Sequence, residues 1–390
     1  MAAGGTTWAV LAGGGTGGHL YPGVAVARAL VDRGHDPVSL RFVGARRGIE
    51  ARTRAVQGFP HTFLPGRGFV RGLSARGLMV NLQAVVGMAA ASAIAIASFR
   101  KWRPSVVVSL GGYASLPCVL AAALWKVPVV VLNVDAVPGA ANCLAARLAV
   151  ACAVPASRTR LPKAVVTGVP VRAELVSLDR GPVEREAARK RLGLPSGARV
   201  IAVCGGSLGA RRINRAALEL AGLWAERQDL AIHHVVGNRD WEEIRAAAPT
   251  TRGLVYQQVR YEEDMATLYT AADLAVQRAG ASSVAELAIA GLPSVLVPLP
   301  GAPGGHQEAN ARAMAIAGGA IVVPDAELGG SRLAREIEQL LANPDLIVHM
   351  GEAAAKLARP QAAQDVARLA EEHARADPKG GVRADSTARG

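Results

Sequence analysis

The sequence predicts an α/β protein built from two doubly wound domains. Short, wholly apolar segments alternate with helical stretches along most of the chain, which is the pattern of parallel strands buried on both faces of a sheet. The pattern runs twice, and each series begins with a strand, a glycine-rich loop and a helix. A chain of 390 residues has room for two domains, or three.

Each predicted element follows from a local run of apolar residues. In the first series we predict strands at 8–12, 38–43, 105–110 and 127–132, with a helix at 23–33 after the first of them. Aliphatic and β-branched side chains dominate these strands, as is typical of buried parallel strands. In the second series we predict strands at 200–204, 231–236, 254–257, 274–277 and 294–297. Helices are predicted at 214–227 and, last in the chain, at 363–375.

A break in the pattern separates the two series. Gly168 and Pro170 interrupt it, so we expect the domain boundary there. The N-terminal domain is then 1–171 and the C-terminal domain begins at 172. The last residues, 377–390, are polar and glycine-containing, and we expect them to form a disordered tail.

The chain is basic, with 44 Lys and Arg residues against 31 Asp and Glu residues and a net charge of +13. An excess of this size points to an anionic partner: nucleic acid, anionic lipid or a phosphorylated substrate. Aromatic residues make up only 4% of the chain, which is poor material for stacking on single-stranded bases. The cysteines show no Cys-x-x-Cys spacing, and we expect buried thiols in a reducing compartment at Cys118, Cys143, Cys152 and Cys204.

One segment, 77–99, carries no charged side chain and is long enough to span a bilayer. Alanine dominates it, and it includes Asn81 and Gln83, so its transfer into lipid is only weakly favourable. The composition therefore favours a buried helix of a soluble domain over a membrane span.

A glycine loop follows the first strand of each series. The first, 13–19, reads Gly-Gly-Gly-Thr-Gly-Gly-His and matches G-x-G-x-x-G, a pattern in which backbone N–H groups at a helix N-terminus bind an anion. Arg46 and Arg47 follow the next strand and would suit the 2′-phosphate of NADP, so an NADP-dependent oxidoreductase is one hypothesis. The second loop, 205–210, offers the Ser207 hydroxyl to a phosphate, and its alternative is a tight turn without a ligand.

Two polar clusters follow later strands of the second series. Ser283 and Glu286 have the spacing of a capping box, and spacing alone favours a helix cap over the binding of ribose hydroxyls by Glu286. His306 and Gln307 open a further helix. Such polar side chains are suited to sugar hydroxyls, or they are ordinary solvated loop residues.

Taken together, the motifs resemble one family of glycosyltransferases. They occur in the order and spacing of the MurG family over nearly the whole chain, from about 8 to 375, and lie at 13–19, 111–113, 168–172, 205–210, 279–293 and 306–310. The resemblance implies the GT-B fold: two Rossmann-like domains that face a cleft. It also implies that the last helix, about 360–376, crosses back to the N-terminal domain and leaves 172–359 as the C-terminal domain.

The resemblance implies inverting transfer of GlcNAc from UDP-GlcNAc to the C4 hydroxyl of MurNAc in undecaprenyl-pyrophosphoryl-MurNAc-pentapeptide (lipid I), which gives lipid II for peptidoglycan synthesis. The donor would lie mainly on the C-terminal domain, with Glu286 on the ribose and Arg172 on the nucleotide. His306 and Gln307 would then bind GlcNAc hydroxyls. Further donor contacts are implied for Thr16, Gly17, Gly18, Asp135, Ser207, Tyr261, Glu262, Ala281, Ser282 and Ser283.

The N-terminal domain would bind the acceptor. His19 is the candidate base for the proton of the acceptor hydroxyl, and its alternative role is to orient the acceptor phosphate. Helix N-termini, loop N–H groups and Arg172 would stabilise the leaving diphosphate, so neither a metal nor a cofactor is expected. Acceptor contacts are implied for Gly14, Gly15, Thr16, His19, Tyr113, Asn133 and Asn142.

The chain departs from the family at one point in the cleft. The family usually carries His-Glu-Gln/Ser-Asn after the strand at 127–132, and here the residues are Leu132, Asn133, Val134 and Asp135. The change moves the carboxylate by two positions and makes Asp135 a second candidate catalytic residue. It also leaves open a related enzyme with a different lipid or natural-product acceptor.

In the family, the region that corresponds to the uncharged segment 77–99 forms an apolar patch surrounded by basic residues, and this patch docks on the membrane. Each basic residue near an anionic leaflet contributes about 1 kcal/mol to membrane binding. The resemblance therefore favours peripheral attachment at the cytoplasmic face over a span. Nucleic acid is then no longer expected as a partner. A non-catalytic sugar-nucleotide or membrane adaptor is a further hypothesis. The patch would comprise Arg67, Arg71, Arg76, Leu78, Met79, Leu82, Val86, Arg100, Lys101 and Arg103.

Overall fold

The computed structural model describes residues 7–14, 17–46, 56–66, 75–206 and 209–376, with the backbone alone at 75–78. Two all-parallel sheets organise this part of the chain. The first has the order β3-β2-β1-β4-β5-β6-β7, with strands at Ala9–Gly13, Leu40–Ala45, His61–Leu64, Val106–Gly111, Val129–Leu132, Ala151–Val154 and Ala164–Val166, numbered β1 to β7 along the chain. The second has the order β10-β9-β8-β11-β12-β13, with strands at Arg199–Cys204, Leu230–Val235, Val255–Val259, Leu274–Gln277, Ser294–Leu296 and Ala320–Val322, numbered β8 to β13.

Helices connect the strands and cover the sheets. Those of the first half, α1 to α6 in chain order, are Gly17–Asp32, Ala75–Trp102, Ser115–Leu124, Ala140–Ala146, Ala173–Val176 and Pro182–Arg191. Those of the second half, α7 to α14, are Arg211–Leu223, Trp241–Ala246, Met265–Ala271, Ala281–Ala290, His306–Ile316, Gly330–Leu341, Pro344–Ala355 and Ala362–His373.

The strand orders confirm the predicted doubly wound fold. In each sheet the chain leaves the first strand in one direction and later returns to its other side, at β1/β4 in the first sheet and at β8/β11 in the second. The central strands are buried on both faces, which their valine and isoleucine content requires. A crevice opens beyond the carboxyl ends of the strands at such a switch point, and this is where ligands bind in open α/β sheets.

The last helix crosses back to the first sheet, as the family resemblance implies. Helix α14 packs against α1, and its Val366 and Ala370 are buried in the core of that sheet. Glu371 accepts hydrogen bonds from Arg33 at 2.6 and 2.8 Å and contacts His35 Nε2 at 3.0 Å. The chain therefore passes between the two sheets twice, which restricts how they can separate.

Several predictions from the sequence were incomplete. The edge strands β3 and β13 were missed; both are only partly buried, whereas β11, with four residues, is wholly buried and was predicted. Helix α1 begins six residues before the predicted start and contains Pro22. The expectation that every cysteine is buried is wrong for Cys143, which is exposed on the short helix α4.

Helix α2 is buried along one face only. Ala84, Ala91 and Phe99 are buried on the side that packs against α3, while Met79 and Leu82 are 65% and 64% exposed. The prediction of a buried helix is therefore wrong for its outer face. Within the part of the chain that the structure describes, Met79–Trp102 is the one helix long and apolar enough to cross a membrane, and 28% of its most apolar window is buried. Of the predicted basic residues, Arg67 and Arg71 lie outside the described residues, as does the side chain of Arg76.

A buried carboxylate joins the elements at the amino-terminal edge of the second sheet. Asp273, directly before β11, is 5% exposed and accepts hydrogen bonds from Val200 N at 2.7 Å and Arg189 Nη2 at 2.9 Å. Arg185 of α6 bonds its other oxygen, which Arg199 also contacts at 3.5 Å. This carboxylate links α6 to the central strands β8 and β11 of the second sheet.

We expect Asp273→Asn to destabilise the protein by about 3–5 kcal/mol, because arginines that are partly buried then lose their counter-charge. Thermal or urea unfolding measures the change. Asp229→Asn is the matched control: Asp229 is 61% exposed, pairs with Arg227 at 2.7 Å and should cost under about 1 kcal/mol. Equal losses for the two variants would contradict the assigned role of Asp273.

Candidate active site

The carboxyl ends of the two sheets face each other across a cleft, and polar side chains cross it. Tyr21 of α1 places its hydroxyl 2.9 Å from that of Tyr261. Ser282, in the first turn of α10, donates to the carbonyl of Gly18 at 3.3 Å. These contacts bring the N-terminal ends of α1 and α10 together, and a helix N-terminus presents backbone N–H groups that have no partner within the helix.

The first glycine loop packs tightly against the loop that follows β4. Gly13 has φ of +137°, and a Cβ atom there would lie 2.3 Å from the carbonyl oxygen of Gly111, so only glycine fits. Helix α1 then begins at Gly17, with Gly18 and His19 on its first turn and His19 partly buried. The predicted acceptor residue Gly14 is buried beside Gly111, while Gly15 and Thr16 lie outside the described residues.

The second glycine loop packs against Val236, the residue that directly follows strand β9. Gly209 has φ of +85°, and a Cβ atom there would lie 2.4 Å from the carbonyl oxygen of Val236. Helix α7 begins at Arg211, directly after this loop. Ser207 and Leu208 lie outside the described residues, so anion binding by this loop stays a prediction.

The first sheet presents a hydrogen-bonded asparagine pair after β5. Asn142 Nδ2 donates to Asn133 Oδ1 at 3.0 Å, and Asn133 Nδ2 donates to the carbonyl of Asp135 at 2.7 Å. Both asparagines are buried, so their amides fix the loop that presents Asp135. Tyr113, after β4, lies with its hydroxyl against Gly66, and burial raises the pKa of that hydroxyl.

Asp135 reaches across the cleft to the first helical turns of α11. Its Oδ1 lies 2.9 Å from His306 Nδ1 and 3.5 Å from Asn310 Nδ2. Asn310 also accepts from the backbone N of Ala136 at 3.1 Å and donates to the carbonyl of Ala279 at 3.1 Å. The hydrogen bond and the charge of Asp135 raise the pKa of His306 against the opposing effect of burial.

Glu286 lies inside α10 and is not part of a helix cap. The N-cap of α10 is Gly280, without a side-chain hydrogen bond, so Ser283 is already helical and the favoured capping-box prediction is wrong. The Glu286 side chain is 12% exposed; it lies 3.6 Å from Arg172 Nη2 and accepts from the Tyr269 hydroxyl at 3.3 Å. Burial raises the pKa of Glu286, while Arg172 opposes that shift.

Arg172 connects the two halves of the cleft. It precedes α5 in the crossover between the sheets, and its guanidinium stands over the ring of Tyr21 at 5.4 Å while it contacts Glu286. Its Nε is buried and has no hydrogen-bond acceptor among the described residues. Arg172 therefore brings a positive charge to the partly buried Glu286 at the carboxyl edge of the second sheet.

The remaining predicted donor residues line or shape the same edge. Gln307 accepts from the backbone N of Leu299 at 3.0 Å, which fixes the loop before α11. Glu262 accepts from Asp264 N at 2.9 Å, so this carboxylate is partly engaged in its own turn. Ala281 is buried and Ser283 partly buried on the first turn of α10.

The predicted contact residues omitted three side chains that build this site, although one of them, Asn310, lies in the predicted motif at 306–310. Tyr21, Tyr269 and Asn310 each contact a predicted site residue. Asn310 had a usable signal, because it follows His306 by four residues on a helix and so shares its face. The two tyrosines had none: Tyr21 contacts Tyr261, 240 positions away, and Tyr269 contacts Glu286 of a different helix, 17 positions away.

The arrangement combines opposite charges with hydrogen-bonding groups at two facing helix ends. Glu286 and Asp135 supply carboxylate acceptors, and Arg172 and the N-termini of α1 and α10 supply positive potential. Such a set suits a ligand that carries both hydroxyls and phosphates. Among the described residues, His, Cys, Asp and Glu side chains form no group of three or more that would hold a metal, and metal independence stays a prediction.

Comparisons with known proteins identify the family. The model of the glycosyltransferase family 28 N-terminal domain matches 9–154, and that of the C-terminal domain matches 200–366. A UDP-N-acetylglucosamine–N-acetylmuramyl-(pentapeptide) pyrophosphoryl-undecaprenol N-acetylglucosamine transferase of Moorella thermoacetica is 39% identical, over 92% of this chain and 97% of the relative. The protein of the same name from Desulforudis audaxviator is 36% identical, over 93% of this chain and 97% of the relative.

A solved structure agrees with these relatives. The crystal structure of Acinetobacter baumannii MurG matches with a TM-score of 0.70 and 28% identity, over 94% of this chain and 99% of that one. A glycosyltransferase fold on both halves argues against the NADP oxidoreductase and adaptor hypotheses. The chain belongs to the MurG family of family 28 glycosyltransferases, with the GT-B fold that its motifs predict.

Proposed function

We propose that this chain transfers GlcNAc from UDP-GlcNAc, with inversion, to the C4 hydroxyl of MurNAc in lipid I and so forms lipid II. The observation that carries the proposal is the partly buried Glu286–Arg172 pair, which lies at the carboxyl edge of the second sheet, with Arg172 also over the Tyr21 ring of α1. The names of relatives that align over nearly the whole chain support the donor and the acceptor. They do not favour the alternative of a different acceptor.

The donor is proposed to lie on the C-terminal domain, 172–359. Glu286 accepts hydrogen bonds from the ribose hydroxyls, and Arg172, 3.6 Å away, opposes the rise in the pKa of Glu286 that burial causes. Arg172 and the N-terminal turns of α7 and α10 face the diphosphate. Tyr261 lies at the edge of this site, and its hydroxyl bond to Tyr21 ties the donor side to α1.

The acceptor is proposed to bind the N-terminal domain, 1–171 with about 360–376. Its C4 hydroxyl attacks the anomeric carbon of GlcNAc while the bond to UDP breaks, and the charge that develops on the diphosphate is stabilised by Arg172 and by backbone N–H groups. The hydroxyl proton goes to a base. His19, in the first turn of α1, is the candidate, and Asp135 is the second carboxylate of the cleft.

Asp135 is proposed to act through His306. The two side chains come from opposite domains, and their 2.9 Å hydrogen bond closes the cleft at the GlcNAc end of the site. The pair fixes the imidazole, whose other nitrogen then points to the sugar hydroxyls or to water. Asn133 stands where the family carries glutamate, and it supports the same loop through a neutral hydrogen bond.

The proposed acceptor is a lipid that lies in the membrane, so the enzyme must reach the membrane surface. We propose that it attaches peripherally to the cytoplasmic face. The exposed apolar face of α2, with Met79, Leu82 and Val86, supports this proposal, as do the exposed Arg100 and Lys101 at its end. Basic residues beside an apolar face favour an anionic leaflet by about 1 kcal/mol each.

Incubation with UDP-GlcNAc and a lipid I analogue tests the function directly. We expect a lipid II analogue with inverted anomeric configuration, identified by mass spectrometry and NMR, and no product from a His19→Ala, Glu286→Ala double variant. Binding of UDP-GlcNAc without any lipid II would refute the proposed acceptor and leave the donor site intact.

Glu286→Gln should lower kcat/KM for UDP-GlcNAc by about 10- to 100-fold, because a neutral amide accepts weaker hydrogen bonds than a carboxylate. Steady-state kinetics with a fixed acceptor concentration measure the loss. Glu242→Gln is the control: Glu242 is 79% exposed on α8 and should leave kcat/KM unchanged. An unchanged kcat/KM in Glu286→Gln would remove Glu286 from the donor site.

The Asp135–His306 pair predicts a pH dependence. Asp135 raises the pKa of His306 above its ordinary value of 6.5, so the pair's stabilisation of the closed cleft is complete below that value. It is lost as the pH rises through the raised pKa. An NMR titration of His306 should show the raised pKa in the wild type and a shift back toward 6.5 in Asp135→Asn, but no shift in Asp365→Asn on α14. A wild-type pKa at or below 6.5 would contradict the pairing.

A further inference from the structure

A cavity of about 370 Å³ lies at the opposite edge of the second sheet from the proposed donor site. Arg199 opens β8 and Asp273 precedes β11, so the cavity is at the amino-terminal ends of these strands. The glycine loop and Glu286 lie at the carboxyl-terminal ends, about 17 Å away along the six residues of β8. The lining, which we call the arginine cavity, consists of Arg180, Pro182, Arg185, Glu186, Arg189, Gly197, Ala198, Arg199 and Asp273.

The arginine cavity has more positive than negative charge. Four guanidinium groups line it, and two carboxylates, Asp273 and Glu186, oppose them. The single buried carboxylate, Asp273, contacts Arg185, Arg189 and Arg199. Two positive charges of the lining are therefore not compensated within it, in a recess where the dielectric screening by water is reduced.

Arg180 is held at the back of the arginine cavity by main-chain carbonyls. Its two terminal nitrogens donate to Ala290 and Gly291 at 3.0 and 3.1 Å and to Ala272 at 2.5 Å. Its Nε is buried and has no acceptor among the described residues. Burial and the neighbouring charge of Arg185 lower the pKa of Arg180 to about 10.

The outer arginines are accessible. Arg185 is 29% exposed and Arg199 is 48% exposed, and Arg199 contacts Asp273 only through one nitrogen at 3.5 Å. Each guanidinium carries five N–H donors in a planar fork, so these contacts leave donors for a ligand. The cavity thus offers two accessible guanidinium forks, Arg185 and Arg199, beside the fixed Arg180.

We propose that the arginine cavity binds a phosphate group. Tetrahedral oxyanions accept paired hydrogen bonds from guanidinium forks, and a dianion would neutralise the uncompensated charge. The volume admits inorganic phosphate or the phosphate headgroup of a lipid. The site is separate from the diphosphate site of the transferase, and its binding does not depend on the proposed function.

Isothermal titration with inorganic phosphate tests the proposal, at constant ionic strength and with UDP present in excess to fill the donor site. We expect one phosphate per chain and a loss of at least about tenfold in affinity in Arg199→Gln, because charge-assisted hydrogen bonds are removed. Arg252→Gln is the control: Arg252 is 81% exposed in the same domain and should bind as the wild type does. Arg199→Lys keeps the positive charge but not the guanidinium fork, so its affinity for phosphate should lie between those of the wild type and Arg199→Gln.

Vesicles distinguish the two sources of phosphate. If a lipid headgroup is the ligand, retention on vesicles that contain phosphatidic acid falls in Arg199→Gln relative to Arg252→Gln, whereas retention on phosphatidylcholine vesicles is equal. If free phosphate is the ligand, only the titration distinguishes the variants. Wild-type affinity for phosphate in Arg199→Gln, with an unchanged melting temperature and unchanged vesicle retention, would overturn the proposal.

Discussion

Parallel strands impose the constraint on which this structure depends: every loop after a strand arrives at the same edge of its sheet. In this chain the two such edges face each other, and the contacts of Asp135 with His306 and Asn310 span the gap. Glu286, Arg172 and the glycine loops are placed by that geometry. The chain crosses between the sheets twice, so the two halves of the site are also tied covalently.

Most of the fold could be predicted from the sequence because its signal is local. Buried strands such as β4 and β11 are apolar on both faces, and each half begins with the same strand, loop and helix. The edge strands β3 and β13 are only partly buried, so they are not required to be apolar on both faces as β11 is. Composition alone misjudged the outer face of α2, since an alanine-rich sequence does not reveal how much of a helix a domain covers, whereas the family resemblance implied an apolar surface patch there.

The site was predicted less completely than the fold, for a physical reason. Motif residues such as Glu286 and His306 could be found because they sit at fixed offsets after strands. Which residues contact each other could not be predicted, since the Tyr21–Tyr261 and Asp135–His306 contacts join residues 240 and 171 positions apart. Spacing also misled at Ser283, because the helix begins at Ala281, before the apparent cap. Asp135, where the sequence departs from the family, contacts His306 of the other domain only when both domains are folded and in place.

The most direct test of the account is a crystal structure with UDP-GlcNAc bound. We expect the ribose hydroxyls within hydrogen-bond distance of the Glu286 carboxylate, the diphosphate between Arg172 and the first turns of α7 and α10, and GlcNAc beside His306 and Asp135. The sugar would then face the first glycine loop, where the acceptor is to bind. A uridine bound at the carboxyl edge of the first sheet, or a sugar remote from His306, would contradict the account.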